Sequence, residues 1–358
     1  MSTPLTINSV ETLEQALPII RKAQELYSTF SQEQVDAICE KSAMAVSKMR
    51  IPLAKMACEE TGYGIMVDKV TKNQYASEHV WNYMRNKKTC GVIEENKAFG
   101  TMRIASPKGV IAAITPTTNP TSTTIYKMLL ALKTRNAIIL SPHPHAVNCS
   151  IAAAKIIRDA AIEAGLPEHV ISWVSVPSLE ISDYLMKNVD LIMATGGSGM
   201  VKAAYSSGTP AIGVGPGNCN VVIDESADLR MAVESIIHSK TFDNGMICAS
   251  EQAVIVDECL ADDFERIMKE NNCYFLNKEE TKKVSDYVIN PQKQAVNSAV
   301  VGKPASWIAE QAGVKVPDKT KILIALLPDV GPEYPLSREK LSPVLAYFKV
   351  KDWHQGFE

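Results

Sequence analysis

The stretch TFDNGMICASEQ, residues 241–252, sets a single cysteine, Cys248, among small and polar neighbours. As a thiolate, such a residue attacks a carbonyl carbon and carries the acyl group as a thioester. Asn244 and Gly245 precede it, a pair suited to a sharp turn that exposes a thiol. A cysteine judged by type alone is more often a small buried hydrophobe, and the chain holds eight. None forms C-x-x-C or stands at zinc-finger spacing to the six histidines, so no metal site is expected. Asp243, Asn244 and Glu251 flank Cys248 without an evident role of their own.

Three further stretches could hold a ligand: ITPTTNPTS (114–122), ATGGSG (194–199) and GVGPGN (213–218). Each follows an apolar run. Their small residues let a phosphate or a nicotinamide approach the backbone, and a helix that starts there offers unpaired amides to an anion. None is the G-x-G-x-x-G of a standard dinucleotide fingerprint, so plain tight turns explain them equally well on spacing alone.

The elements around these stretches alternate. Residues 109–116, 136–142, 169–175, 190–195 and 210–215 read as buried strands, and 121–134, 149–165, 179–188 and 200–208 read as helices. That alternation predicts an α/β fold with a parallel sheet covered on both faces, which binds ligands beyond the carboxyl ends of its strands. The first ~90 residues read as helical, with a capping box at Ser31 and Gln34 and a glycine stop at Gly62. A second region begins near Asp224, with helices at 226–240, 261–271, 278–288 and 304–313 and strands at 253–257, 321–327 and 342–350. The expected division is therefore 1–223 and 224–358.

Composition narrows the partners. With 358 residues, 46% of them hydrophobic, the chain can bury the cores of two domains. A net charge of −3 gives no basic excess for nucleic acid or an anionic membrane. No apolar run is long enough to cross a bilayer, and the N-terminus has no secretory pattern, which together predict a cytoplasmic protein with reduced thiols.

Taken together, the motifs resemble those of the aldehyde dehydrogenase superfamily. TF-x-N-G-x-x-C is similar to its nucleophile motif, TPTTNP to the segment whose asparagine holds the oxyanion, ATGG to its pyrophosphate turn, and EKLSPVL (339–345) to its glutamate-x-x-x-proline segment. The four occur in the family's order over more than 200 residues. SPHPHA, MVKAAYSSG, TFDNGMICASEQ and REKLSPVLA most resemble the CoA-acylating domain that begins the bifunctional aldehyde–alcohol dehydrogenases, and this likeness covers essentially the whole chain.

The resemblance implies a Rossmann-type NAD-binding domain, preceded by a helical segment, and a second α/β domain that carries the nucleophile. It assigns catalysis to Cys248 and Asn119. It assigns cofactor binding to Thr115, Pro116, Thr117, Gly196, Gly197, Gly213, Gly215 and Glu339, the last at the nicotinamide ribose. The implied reaction interconverts acetaldehyde, NAD+ and coenzyme A with acetyl-CoA and NADH, in a homo-oligomer acting in fermentation and ethanol metabolism. Hydrolytic members carry a Glu-Leu-Gly-Gly turn whose glutamate activates water; here Ile212-Gly213-Val214-Gly215 has no carboxylate, which favours a thiol as acyl acceptor. Ser141-Pro142-His143 stands where hydrolytic enzymes have a lysine for the adenosine ribose, leaving NADP open beside NAD. Against the family's length, the chain is expected to lack the remainder of its second domain and any iron-dependent alcohol dehydrogenase domain. An inactive fragment with an assembly role and a hydrolytic dehydrogenase are the alternative readings.

Overall fold

The structure is a computed structural model that describes residues 5–290, 292 and 295–357. Contacts divide the chain into two units, Met1–Gly62 with Lys69–Gly215, and Tyr63–Asp68 with Pro216–Glu358.

The first unit is built on a parallel five-stranded sheet. Its strands are β1 (Val110–Ile114), β2 (Ala137–Ser141), β3 (Ile171–Trp173), β4 (Leu191–Thr195) and β5 (Ala211–Val214), in the order β3-β2-β1-β4-β5. β1 and β2 are buried at every residue, which is why both read as unbroken apolar runs rather than alternating ones. Helices Pro120–Lys133, Val147–Glu163, Leu179–Asn188 and Ser198–Tyr205 connect the strands. The expected capping box is present: Ser31 N donates to Gln34 Oε1 at 2.9 Å, and Gln34 N to Ser31 Oγ at 3.3 Å. The mixed three- and four-residue spacing after Met66 also has a cause. Helix Met66–Gln74 passes into a π-helical turn at Tyr75–His79, which shifts the apolar phase before Val80–Met84.

The second unit holds another parallel five-stranded sheet: β6 (Cys219–Ile223), β7 (Glu251–Asp257), β8 (Cys273–Leu276), β9 (Ile322–Leu326) and β10 (Val344–Val350), ordered β8-β9-β10-β7-β6. Successive side chains point to opposite faces. Leu323, Ala325, Val344 and Ala346 join one core with helices Lys278–Val288 and Ala305–Gln311. Ile322, Ile324, Leu345 and Tyr347 join another with Leu229–Thr241 and Glu258–Glu270.

Two elements differ from the sequence expectation. Residues 219–223 were expected within the first domain, up to 223, but they form β6, which pairs with β7 in the second sheet. The antiparallel hairpin Gly91–Asn96 with Thr101–Ala105 was not anticipated; its side chains are almost all exposed, so no burial pattern marks the sequence. No described helix is long and apolar enough to cross a membrane.

Candidate active site

Cys248 owes its exposure to an unusual backbone just before it. Helix Leu229–Thr241 ends in Asp243 at φ 51° and Asn244 at φ 54°, both left-handed, followed by Gly245 at φ 69°. Left-handed non-glycine residues cost roughly 1–3 kcal/mol each and persist where neighbours over-determine them. Those neighbours lie within the second unit. Asp243 N donates to Asp68 Oδ2 at 2.7 Å, Ile65 N donates to Asp243 Oδ1 at 2.6 Å, and Asn244 Nδ2 donates to the Gly302 carbonyl at 2.8 Å. A Cβ on Gly245 would fall 2.8 Å from the Ser342 backbone, so glycine is required by both torsion and space. The chain then turns: Ser250 N donates to the Ile247 carbonyl at 3.0 Å, leaving exposed Cys248 and Ala249 at the corner. Asp243 and Asn244, without a role in the sequence reading, thus hold the turn that presents the thiol.

Glu339 reaches this turn through Gly217. Gly217 N donates to Glu339 Oε1 at 3.0 Å, and a Cβ on Gly217 would stand 2.2 Å from the Cys248 carbonyl oxygen. Burial pushes the Glu339 carboxyl up, partly offset by the Gly217 amide and by Lys240 and Lys340. Behind it, β7 bulges: Cys219 pairs with Glu251 and Asn220 with Ala253, which leaves Gln252 as the extra residue. The buried Gln252 Oε1 accepts from Lys240 Nζ at 3.3 Å and from Lys340 N at 3.0 Å. Lys340 Nζ donates to three carbonyls, of Gln252, Leu336 and Arg338, at 2.9, 2.7 and 2.6 Å. Those three acceptors match the three N–H groups of an ammonium, while burial and then the neighbouring Lys240 drive its pKa down, partly offset by Glu339.

In the first unit, the sheet order reverses between β1 and β4, and the crevice of such a switch point is where open α/β sheets bind ligands. Thr115, Pro116 and Thr117 leave the carboxyl end of β1, and Gly196 and Gly197 leave β4. Thr115 is buried with its hydroxyl unpaired. Gly197 begins helix Ser198–Tyr205, whose first amides lack intrahelical partners. An orphaned hydroxyl and a helix start at a switch point fit a dinucleotide. Gly213 also has a packing reason to be glycine: its Cβ would stand 2.7 Å from both Tyr205 and Val201, and its amide donates to Tyr205 Oη at 3.0 Å. No such crowding is found at Gly215.

Asn119 caps helix Pro120–Lys133 without a side-chain cap bond. Its Oδ1 accepts from Lys72 Nζ at 2.7 Å. Lysine only donates, so this contact fixes which end of the amide is oxygen and turns Nδ2 the other way, where it donates to Thr118 Oγ1 at 3.2 Å. The same turn is braced by Lys69 Nζ on the Thr118 carbonyl at 3.1 Å and by Thr121 Oγ1 on Asn73 Oδ1 at 2.8 Å. Sequence reasoning missed Lys69, Lys72 and Asn73 because their helix is distant in sequence from the turn it braces. His143 and His145 are exposed loop residues; burial and the neighbouring His145 move His143 down. Among the described residues no cluster of His, Cys, Asp and Glu could hold a metal ion.

The aldehyde dehydrogenase family matches residues 5–300. The chain belongs to the aldehyde dehydrogenase family. It is 49% identical over 354 residues to an aldehyde–alcohol dehydrogenase of Clostridium acetobutylicum, covering 99% of this chain and 41% of that protein. The chain thus spans about two fifths of the length of that relative. Among solved structures, it is similar to an acetylating aldehyde dehydrogenase from Geobacillus thermoglucosidasius, with a TM-score of 0.92 and 45% identity over 96% of this chain and 76% of that one. A propionaldehyde dehydrogenase from Rhodopseudomonas palustris, solved with bound CoA and an acylated cysteine, has a TM-score of 0.84 at 30% identity, covering 98% of this chain and 79% of its own. These likenesses bear out the α/β, aldehyde dehydrogenase-like fold.

Proposed function

We propose that the chain is a CoA-acylating aldehyde dehydrogenase that interconverts acetaldehyde, NAD+ and coenzyme A with acetyl-CoA and NADH through a thioester on Cys248. The observation that carries the reading is the exposed thiol at the corner of a turn fixed by a left-handed backbone. Cys248 attacks the aldehyde carbon as thiolate. Asn119 Nδ2 and the Cys248 amide donate to the oxyanion that forms, where donors placed in advance act most strongly. NAD+, when bound, supplies the hydride acceptor. Thr115, Pro116, Thr117, Gly196, Gly197, Gly213 and Gly215 hold it, and Glu339 holds its nicotinamide ribose.

Release of the acyl group then needs an acceptor. The turn Ile212-Gly213-Val214-Gly215 offers no carboxylate to activate water, so the thioester survives until coenzyme A arrives. The Rhodopseudomonas structure, with bound CoA and an acylated cysteine, supports that order. The likeness to the acetylating aldehyde dehydrogenase from Geobacillus supports an acetyl group as the acyl carried; the setting proposed with it is a cytoplasmic homo-oligomer. Incubation with acetyl-CoA followed by peptide mass analysis should find an acetyl group on Cys248. An acetyl group on another cysteine, or on none, would remove this assignment.

A further inference from the structure

We propose that Cys219 is a resolving cysteine that forms a reversible disulfide with Cys248 when a hydroperoxide oxidises the nucleophile. The inference rests on the reading of Cys248 as a reactive thiolate. Three cysteines are exposed, Cys219, Cys248 and Cys259, while Cys39, Cys90, Cys149 and Cys273 are buried. Burial raises the thiol pKa of Cys39, Cys149 and Cys273, the last to about 12, which keeps them protonated and unreactive.

Cys219 opens β6 directly beside the nucleophile turn. Its Sγ lies 3.7 Å from the Cys248 carbonyl oxygen, within the same unit. The register of β6 on β7 breaks immediately after Cys219, so no regular ladder locks its position on both sides. Cys248 lies at the corner of that four-residue turn and is exposed. Cys259 starts helix Glu258–Glu270, beyond the far end of β7, and no contact joins it to this turn among those described.

The chemistry balances with one hydroperoxide. The Cys248 thiolate attacks a peroxide oxygen; the S–O bond forms, the O–O bond breaks, and hydroxide leaves after hydrogen peroxide, or an alcohol after an alkyl peroxide. The Cys219 thiolate then attacks the sulfenic sulfur; the S–S bond forms, the S–O bond breaks, and the oxygen leaves as water with a proton. Two thiols lose two electrons to one peroxide. The disulfide blocks catalysis but shields Cys248 from the irreversible sulfinic and sulfonic states, and a dithiol restores it.

The test treats the purified chain with hydrogen peroxide, removes the oxidant, and maps tryptic peptides without reduction. The expected product joins the peptide holding Cys219 to the one holding Cys248, with fragmentation separating Cys248 from Cys259. Cys219→Ser should keep the untreated CoA-dependent activity. After peroxide it should stay inactive in dithiothreitol, with Cys248 as sulfinic or sulfonic acid, whereas the parent chain recovers. Absence of the Cys219–Cys248 product, or equal recovery of both proteins, would overturn the inference. An inactive Cys248→Ser variant, together with a parent chain that gives no Cys219–Cys248 product, would reject the resolving role alone. Normal activity in Cys248→Ser would reject the nucleophile reading, and the peptide map would still report independently on the disulfide.

Discussion

Two turns, one in each unit, carry the proposed chemistry, and they are held in different ways. The Asn119 turn has a negative φ at Asn119 and is fixed by side chains reaching it from helix Met66–Gln74: Lys69, Lys72 and Asn73. The Cys248 turn is fixed by consecutive left-handed residues, with the Asp68 carboxylate on Asp243 N, the Asn244 side chain on the Gly302 carbonyl and the tight space around Gly245. The contrast suits the roles proposed for the two residues. A donor works only if its amide faces the right way, and a side-chain brace sets that orientation. A nucleophile must project from the surface without drifting, and a strained turn with little freedom ensures it.

Substitutions can break this contrast. The largest effect is expected at Gly217, where a methyl group would meet the Cys248 carbonyl at 2.2 Å. Gly217→Ala should lower CoA-dependent turnover by roughly 100-fold, the order reached when a reacting group moves by about an ångström. Its melting transition should remain cooperative, and a normal rate would show that the turn tolerates displacement.

Lys72→Met tests the brace on the other side. Loss of the amide orientation should reduce kcat by about 10-fold, a part of the roughly 100- to 1,000-fold that removing an oxyanion donor costs. KM should change little, and Lys72→Arg should recover most of the rate. An equal loss in both variants would assign Lys72 a purely structural role.

Asp68 separates stability from catalysis. Asp68→Ala removes the acceptor for Asp243 N and should destabilise the second unit by about 1–3 kcal/mol, read as a lower urea midpoint. Unchanged stability would mean that the left-handed turn holds without this contact.

A last effect, on stability against pH, concerns a buried lysine. Lys127 Nζ donates to the Ile114 and Met193 carbonyls at 2.6 and 2.7 Å, and burial lowers its pKa to about 7. Two acceptors suit the two N–H groups of a neutral amine, whereas Lys340 Nζ has three carbonyl acceptors. Between about pH 7 and about pH 10, the unfolded chain binds a proton at Lys127 that the folded chain does not. Stability should therefore rise with pH across that window, by about 1.4 kcal/mol per pH unit for such a group. Lys127→Met should flatten the dependence of the urea midpoint on pH by that share.

Much of the frame was legible in the sequence because burial imposes patterns. β1, β2 and β10 announced themselves as apolar runs, and Ser31 with Gln34 marked a helix start. The motif order singled out Cys248, Asn119 and Glu339 as the candidates whose roles are proposed. What escaped were groups whose meaning depends on contacts across long stretches of chain. Asp68 bonds the backbone 175 residues on, Lys72 an amide 47 residues on, and Gln252 the backbone 88 residues on. β6 escaped because its short run follows Pro216 and Gly217 so closely that it merged with the preceding glycine turn.

The most direct test of the central claim is the rate of NADH formation from acetaldehyde and NAD+, with and without coenzyme A, for the chain and its Cys248→Ala variant. The account predicts turnover that requires both coenzyme A and Cys248. Turnover that continues without coenzyme A, or in the variant, would contradict it.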